Sequence, residues 1–362
     1  MKHYSSAKQI RGGVIGYGGA FNMGRSHLTE MSKAGMMPTA VAELDPDRLK
    51  VAVTDFPGIQ TFATVDEMLA QSDVNLVTII TPHNTHAKLA LQCLKAGRHV
   101  VCEKPLAITT EECDAIIAAA RQEDLMASTY HNRHWDGCIL RAIEEINEKK
   151  VIGDVFRIDA HMGGRGQPGD WWRTSRTISG GILYDWGVHL LEYSLQLIDS
   201  EVTEVSGFAK TGFWAPHTAW KDDTIEDEAC AVVRFKNGAW INLSMSSLDT
   251  NAKPGFLEVH GTKGNYVMEW EKYRLYKKEG ALETVETGAH HPGTHQKYYE
   301  NIADCLTGEA PLIITSEWAR RPIHILDLAV KSAQQGKTLA AQDERHSVHG
   351  LDAGFAAETG IK

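Results

Sequence analysis

Over its first third the chain alternates short apolar runs with helical patterns, and that alternation limits the fold more than any other feature. The runs "GGVIGYG", "TAVAEL", "VNLVTIITP", "RHVVCEKP" and "LMASTYH" read as strands. Continuous apolar runs stopped by proline fit strands covered on both faces. Between them stand helical patterns with clear starts. "TVDEMLAQS" opens with Thr64 and Glu67 in capping-box spacing, and "TTEECDAIIAAARQED" repeats the device with Thr109 and Glu112. "HAKLALQCLKAG" is amphipathic and stops at Gly97, a C′ glycine. Such alternation predicts right-handed βαβ crossovers and a parallel, doubly wound sheet.

After about residue 150 the pattern changes. "VFRIDAHM", "EVTEVSGFAKT", "ACAVVRFKNGAWINLSMSS" and "GFLEVHGTKGNYVMEW" are strands with little helix between them. The turns "KNGA" and "GTKGN" suit antiparallel hairpins. The expected fold class is α/β: an N-terminal doubly wound parallel sheet, then an α+β domain built on a mostly antiparallel sheet. "TISGGILYDWGVHLLEYSLQLI" is its expected main helix. The expected boundaries are 1–130 for the first domain, 131–340 for the second domain and 341–362 for a tail. A length of 362 residues supports two domains.

The first turn carries the first chemical signal. In "VIGYGGAFNMGRSHL" the strict spacing G-x-G-x-x-G fits Gly16 and Gly18 but then falls on Phe21. Setting aside Gly19, Ala20 and Phe21 leaves Gly16-Tyr17-Gly18-Asn22-Met23-Gly24, a dinucleotide-binding turn between a strand and a helix. The three extra residues must bulge, either outward or over the pyrophosphate, and the expectation is that they cover the cofactor and tighten its retention. Glu43 stands 19 residues after Gly24, close to the ~20 expected for the acid that binds the ribose hydroxyls. An acid there favours NAD over NADP, because it would repel a 2′-phosphate. The alternative is an ordinary strand-to-helix turn with glycine for tight geometry.

Two later stretches add catalytic groups. "VVCEKPLA" places Lys104 at the carboxyl end of a strand, where its ammonium serves as a point charge or a proton donor. A solvated lysine is the competing reading. "SGGILYDWGVHLLEY" spaces Asp185 and His189 at i, i+4, which puts both on one face of a helix. A carboxylate beside an imidazole fixes its tautomer. The competing reading is a helix-start acid and an unrelated core histidine. Trp172 and Arg173, in "GGRGQPGDWWRT", and Arg133, in "YHNRHW", are candidate substrate contacts, because indoles stack on sugar faces and guanidinium groups fork onto oxygens. Loop anchoring by buried indoles competes with that reading. His290, His291 and His295 read as a surface cluster, and no metal is expected.

The ordered set of motifs resembles the Gfo/Idh/MocA family of glucose-fructose oxidoreductases and inositol dehydrogenases. It comprises Gly16, Gly18, Gly24 and His27; Thr81-Pro82-His83-Asn84-Thr85-His86; Glu103-Lys104-Pro105; and Gly180-Gly181-Ile182-Leu183-Tyr184-Asp185-Trp186-Gly187-Val188-His189. The resemblance covers most of the chain and departs from the family pattern at the insertion in the glycine loop. It implies an N-terminal Rossmann domain followed by a C-terminal domain on a large, open sheet, NAD or NADP, a sugar or polyol substrate, and Lys104, Asp185 and His189 as the catalytic set. It implies cofactor contacts from Gly16, Gly18, Phe21, Asn22, Met23, Gly24, Glu43, Thr81, Pro82, Asn84, His86, Glu103 and Lys104. It also implies a cis bond before Pro105. The substrate contacts expected are Lys104, Arg133, Trp172, Arg173, Asp185 and His189.

Two other functions stay open on the sequence. One is a glycoside-cleaving enzyme that holds NAD tightly and oxidises its substrate only transiently. The other is a non-catalytic Rossmann sensor. A formal net charge of −10 and the lack of a long basic run argue against nucleic acid or anionic membranes as partners. The start of the chain shows no apolar signal region, and the six cysteines are scattered without a CxxC pair. A cytoplasmic enzyme with reduced thiols is therefore expected. An open sheet with one uncovered face predicts self-association as a dimer or tetramer.

Overall fold

The computed structural model describes residues 1 and 3–341; the expected tail from 342 onward lies outside them. Two compact units emerge. Among the described residues, the first comprises 1–131 and 296–320, and the second 132–295 and 321–341.

The first unit is built on six parallel strands: β1 (Arg11–Ile15), β2 (Met37–Ala42), β3 (Gln60–Phe62), β4 (Leu76–Ile79), β5 (His99–Cys102) and β6 (Ala127–Thr129). Their order is β3-β2-β1-β4-β5-β6, with every pairing parallel. This is the doubly wound order whose direction reverses between β1 and β4. All residues of β4 and β5 are buried, as expected for strands covered on both faces. Both capping boxes form. Thr64 accepts from the Glu67 N–H and Thr109 from the Glu112 N–H, and each glutamate reaches back to its cap. The helix His86–Lys95 ends at Ala96, and Gly97 follows with φ of 74°.

Helix Lys297–Thr307 also belongs to this unit. Its two tyrosines explain why. The Tyr298 hydroxyl meets Ser128 Oγ at 2.8 Å, and the Tyr299 hydroxyl meets Thr78 Oγ1 at 2.9 Å. Both rings are fully buried.

In the second unit nine strands form one sheet. They are β7 (Val155–Gly163), β8 (Val202–Lys210), β9 (Glu228–Phe235), β10 (Trp240–Ser246), β11 (Leu257–Gly261), β12 (Gly264–Met268), β13 (Lys272–Glu279), β14 (Leu282–Ala289) and β15 (Leu339–Ala340). The order is β14-β13-β12-β11-β7-β10-β9-β8-β15. Only β7 with β10 is parallel. One face alternates inward: Ile241, Leu243 and Met245 of β10 are buried, while the residues between them are half-buried. Helix Gly187–Leu197 packs on β7 and β10. Nearly every residue of this helix is buried, which suits a central core element.

The expected long helix around it is broken. Gly180 and Gly181 take φ of 91° and 116°, backbone that side-chain-bearing residues rarely adopt. A short 3-10 turn, Ile182–Tyr184, follows. The Ile182 N–H donates to Glu226 Oε2 at 2.9 Å and pins it. The helix proper begins only at Gly187.

Candidate active site

Four neighbouring strands of the first unit, β2-β1-β4-β5, deliver the expected cofactor residues at their carboxyl ends. Ligands bind at this end of open α/β sheets. The glycines of the first turn have distinct duties. At Gly16, with φ of 99°, an added Cβ would lie 2.5 Å from the Ile80 carbonyl oxygen. At Gly24 it would lie 2.6 Å from the Tyr17 ring, where helix Met23–Lys33 crosses the turn. At Gly18 it would meet nothing within 4 Å. The chain thus needs two glycines for its own packing and leaves the third beside open space, as a site for close approach of a pyrophosphate requires.

Gly19, Ala20 and Phe21 form an exposed turn, with Phe21 58% exposed. Asn22 stands in the left-handed region and the helix starts at Met23. Arg48 braces this loop: its Nε donates to the Tyr17 carbonyl at 2.8 Å. Glu43 is fixed from two sides. The Tyr17 N–H donates to its Oε2 at 2.6 Å, and the Asp45 N–H donates to its Oε1 at 3.0 Å. The acid is therefore held at the end of β2 by two backbone donors.

Thr81, Pro82 and Asn84 follow β4, and His86 opens the next helix. His86 is fully buried. Its Nδ1 lies 2.7 Å from the Pro105 carbonyl and its Nε2 lies 2.8 Å from the Thr81 carbonyl. The ring therefore ties the segment after β4 to the segment after β5. Burial pushes its pKa below the ordinary value, against the pull of those carbonyls.

Lys104 stands just past β5, and the Lys104–Pro105 bond is cis. Glu103 sets its backbone: the Lys104 N–H donates to Glu103 Oε2 at 3.0 Å. The other carboxylate oxygen lies 3.1 Å from His27 Nε2, and His27 Nδ1 lies 2.8 Å from the Tyr299 hydroxyl. An Nε2–H tautomer donating to Glu103 satisfies both contacts. Burial pushes Glu103 up, but the His27 hydrogen bond and the nearby Lys104 charge outweigh it and hold the carboxyl below its usual range. The histidine of the "G-x-G…H" pattern is thus wired to the acid beside Lys104.

In the second unit Asp185 lies outside the helix rather than on its face. Its Oδ1 accepts a short hydrogen bond from Arg173 Nη1. Arg173 also sits over the rings of Trp171 and Trp172, at 5.3 and 5.0 Å. The structure therefore joins two expected candidates, Arg173 and Asp185, which are twelve residues apart in sequence. His189 lies in the first turn of the helix, buried, with its ring 5.4 Å from Trp186.

Arg133 lies 4.7 Å over the Trp186 ring. Its Nη1 donates to Asp136 Oδ2 at 2.9 Å. Asp136 was not singled out by sequence, yet it is a hub: Tyr193 donates to Oδ2 and His295 Nε2 meets Oδ1, both at short range. The histidines of "HHPGTH" go to three different partners, since His290 meets the Glu269 carbonyl and His291 meets Glu144. Burial raises the Asp136 carboxyl, but its His295, Tyr193 and Arg133 contacts prevail and hold it below the usual carboxylate range. A depressed carboxylate contributes stability above its unfolded-state pKa and loses it as pH falls through the folded value. Asp136→Asn is therefore expected to cost about 1–3 kcal/mol at neutral pH. That difference should shrink towards zero on acidification, as read by urea denaturation across pH. A constant difference would show that the charge is not what Asp136 contributes.

Comparison with known proteins agrees with the two-sheet fold. The model of an oxidoreductase family with an NAD-binding Rossmann fold, GFO_IDH_MocA, matches residues 10–131. The model of that family's C-terminal alpha/beta domain matches residues 144–340. The chain belongs to the Gfo/Idh/MocA oxidoreductase family. Among relatives, the scyllo-inositol 2-dehydrogenase (NADP(+)) of Bacillus subtilis is 22% identical over 94% of this chain and 98% of its own length. The myo-inositol 2-dehydrogenase of Thermotoga maritima is 28% identical over 70% of this chain and 74% of its own. In fold, the chain matches a levoglucosan dehydrogenase solved with NADH and levoglucosan, with a TM-score of 0.78 at 19% identity, covering 92% of this chain and 100% of that one. Gfo/Idh/MocA membership accounts for the parallel six-strand sheet and the mostly antiparallel nine-strand sheet. Among the described residues, no helix is long and apolar enough to cross a membrane.

Proposed function

We propose that this chain is an NAD-dependent dehydrogenase that oxidises a ring or polyol CH–OH, and the reverse. The observation that carries this reading is the glycine turn. Gly18 opens onto space with nothing within 4 Å of its missing Cβ, beside a Glu43 carboxylate fixed at the end of β2 by two backbone N–H groups. Those residues fit a dinucleotide, and the acid favours NAD over its 2′-phosphorylated form.

When bound, the nicotinamide supplies the hydride acceptor. The chain's own residues do the rest. Lys104 hydrogen-bonds the reacting oxygen and offsets the negative charge that develops on it. His189 takes the hydroxyl proton in oxidation and returns it in reduction. Asp185, held by Arg173, orients a neighbouring hydroxyl. Arg133, Trp172 and Arg173 bind the remaining hydroxyls and ring faces. Thr81, Pro82, Asn84 and His86 shape the segment that receives the nicotinamide. Phe21, Asn22, Met23 and Gly24 line the start of the pyrophosphate-binding helix. The open nine-strand sheet, with Phe208 of β8 62% exposed, supports self-association.

Mass spectrometry of the denatured protein, followed by a sugar and polyol panel, tests the reading. The expected result is NAD(H) bound or readily loaded, and NADH formed from at least one panel member. Free sugar released from a glycoside while NADH absorbance stays flat would overturn net oxidation. NADPH held in preference to NADH would overturn the assignment of Glu43.

A further inference from the structure

We infer that Trp270 and Trp186 form a shelf for a second ring of the substrate, next to the group that reacts at His189, so that the preferred substrate class is a glycoside rather than a lone monosaccharide. The inference rests on the dehydrogenase reading above.

A continuous aromatic series starts at His189. Its ring meets Trp186 edge-on at 5.4 Å. Trp186 meets Trp270 edge-on at a further 5.4 Å, with an interplanar angle of 80°. Trp270 in turn leans on Phe256 at 4.5 Å and 36°. The base of the series is firm, because Phe256 is buried. Its end is open: Trp270, on the turn between β12 and β13, is 57% exposed. A scattered exposed side chain needs no explanation. An exposed indole continuous with the proposed base of the reaction is a different matter. Aromatic faces of this kind stack on the apolar faces of sugar rings.

The shelf also has a polar edge. The Arg133 guanidinium lies 4.7 Å over the Trp186 ring and is aimed by its hydrogen bond to Asp136. A planar, fixed guanidinium over an indole offers donors to ring hydroxyls at the point where the aromatic surface begins. A substrate of one ring, reacting at His189, would leave Trp270 uncovered. One that carries a second ring through a glycosidic bond would cover it.

The test uses NADH-loaded protein and matched pairs of methyl glycoside and disaccharide in the gluco, galacto and manno series. Binding is read by isothermal titration. At least one disaccharide is expected to bind about tenfold more tightly than its methyl glycoside. Trp270→Ala should remove that advantage and leave methyl glycoside binding unchanged, while Trp270→Phe should keep most of it. If no disaccharide gains over its methyl glycoside, the proposal fails. It fails equally if Trp270→Ala weakens both members of a pair alike. Size-exclusion chromatography covers the competing occupant: a Trp270→Ala variant that changes association state and not ring affinity makes the shelf a protein contact and overturns the inference. Failure of the dehydrogenase reading is seen separately, when the same sugars mixed with NAD-loaded protein form no NADH.

Discussion

Lys104→Met is expected to lower the rate of hydride transfer about 10³-fold, while NADH affinity changes by less than about threefold. The expectation follows from where the lysine sits. It leaves the sheet at the carboxyl end of β5, directly after a glutamate whose two oxygens are both engaged. That engagement orders the backbone from which the ammonium projects. Methionine keeps the length and apolar stem of lysine but removes the charge. The alkoxide that forms as the hydroxyl proton departs then loses its nearest cation. Single-turnover measurement on NAD-loaded protein separates this step from binding. Lys104→Arg is expected to fall between the two, because a forked, planar cation does not replace a point charge at one oxygen. Near wild-type transfer by Lys104→Met would remove the lysine from the mechanism.

The second large effect divides the glycines of the first turn. Gly16→Ala places a Cβ 2.5 Å from a backbone oxygen, in a conformation with φ of 99°. Neither partner can yield cheaply, so the cost is roughly 2–4 kcal/mol of stability. At Gly18 an added Cβ meets nothing within 4 Å, so Gly18→Val starts into open space. Its stability should stay near wild type, while NADH affinity falls at least about tenfold because the branched side chain fills the space the pyrophosphate needs. Thermal melts of the apo forms, paired with NADH titrations, read both. The two variants must move in opposite columns. A Gly18→Val protein that binds NADH normally would show that the cofactor does not approach this turn.

Much of the first unit was legible because its signals are local. Capping boxes at Thr64 and Thr109, prolines after β4 and β5, and a C′ glycine at Gly97 each act within a few residues. The strand-end positions of Glu43 and Lys104 followed from the same punctuation. Asp185 shows where such reasoning stops. Its spacing to His189 suggests a shared helix face, but the helix begins only at Gly187, so Asp185 stands in the turn before it. Its carboxylate accepts from Arg173, which the sequence offered only as a separate candidate. Asp136 carried even less signal. Its partners come from Arg133, Tyr193 and His295, and the last is 159 residues away. Periodicity has no reach over that distance. The Trp186–Trp270 pair is hidden in the same way, since only the packing of the turn after β12 against the start of a helix brings the indoles together.

The central claim is net hydride transfer from a carbinol carbon to nicotinamide. A sugar or polyol from the panel that supports turnover, carrying deuterium at that carbon, tests it most directly when mixed with the protein and NAD. The account predicts one deuterium in the NADH released to solution, with a primary isotope effect on the single-turnover rate. A panel in which no substrate yields labelled NADH, or in which product forms while the released nicotinamide stays unlabelled, would contradict it.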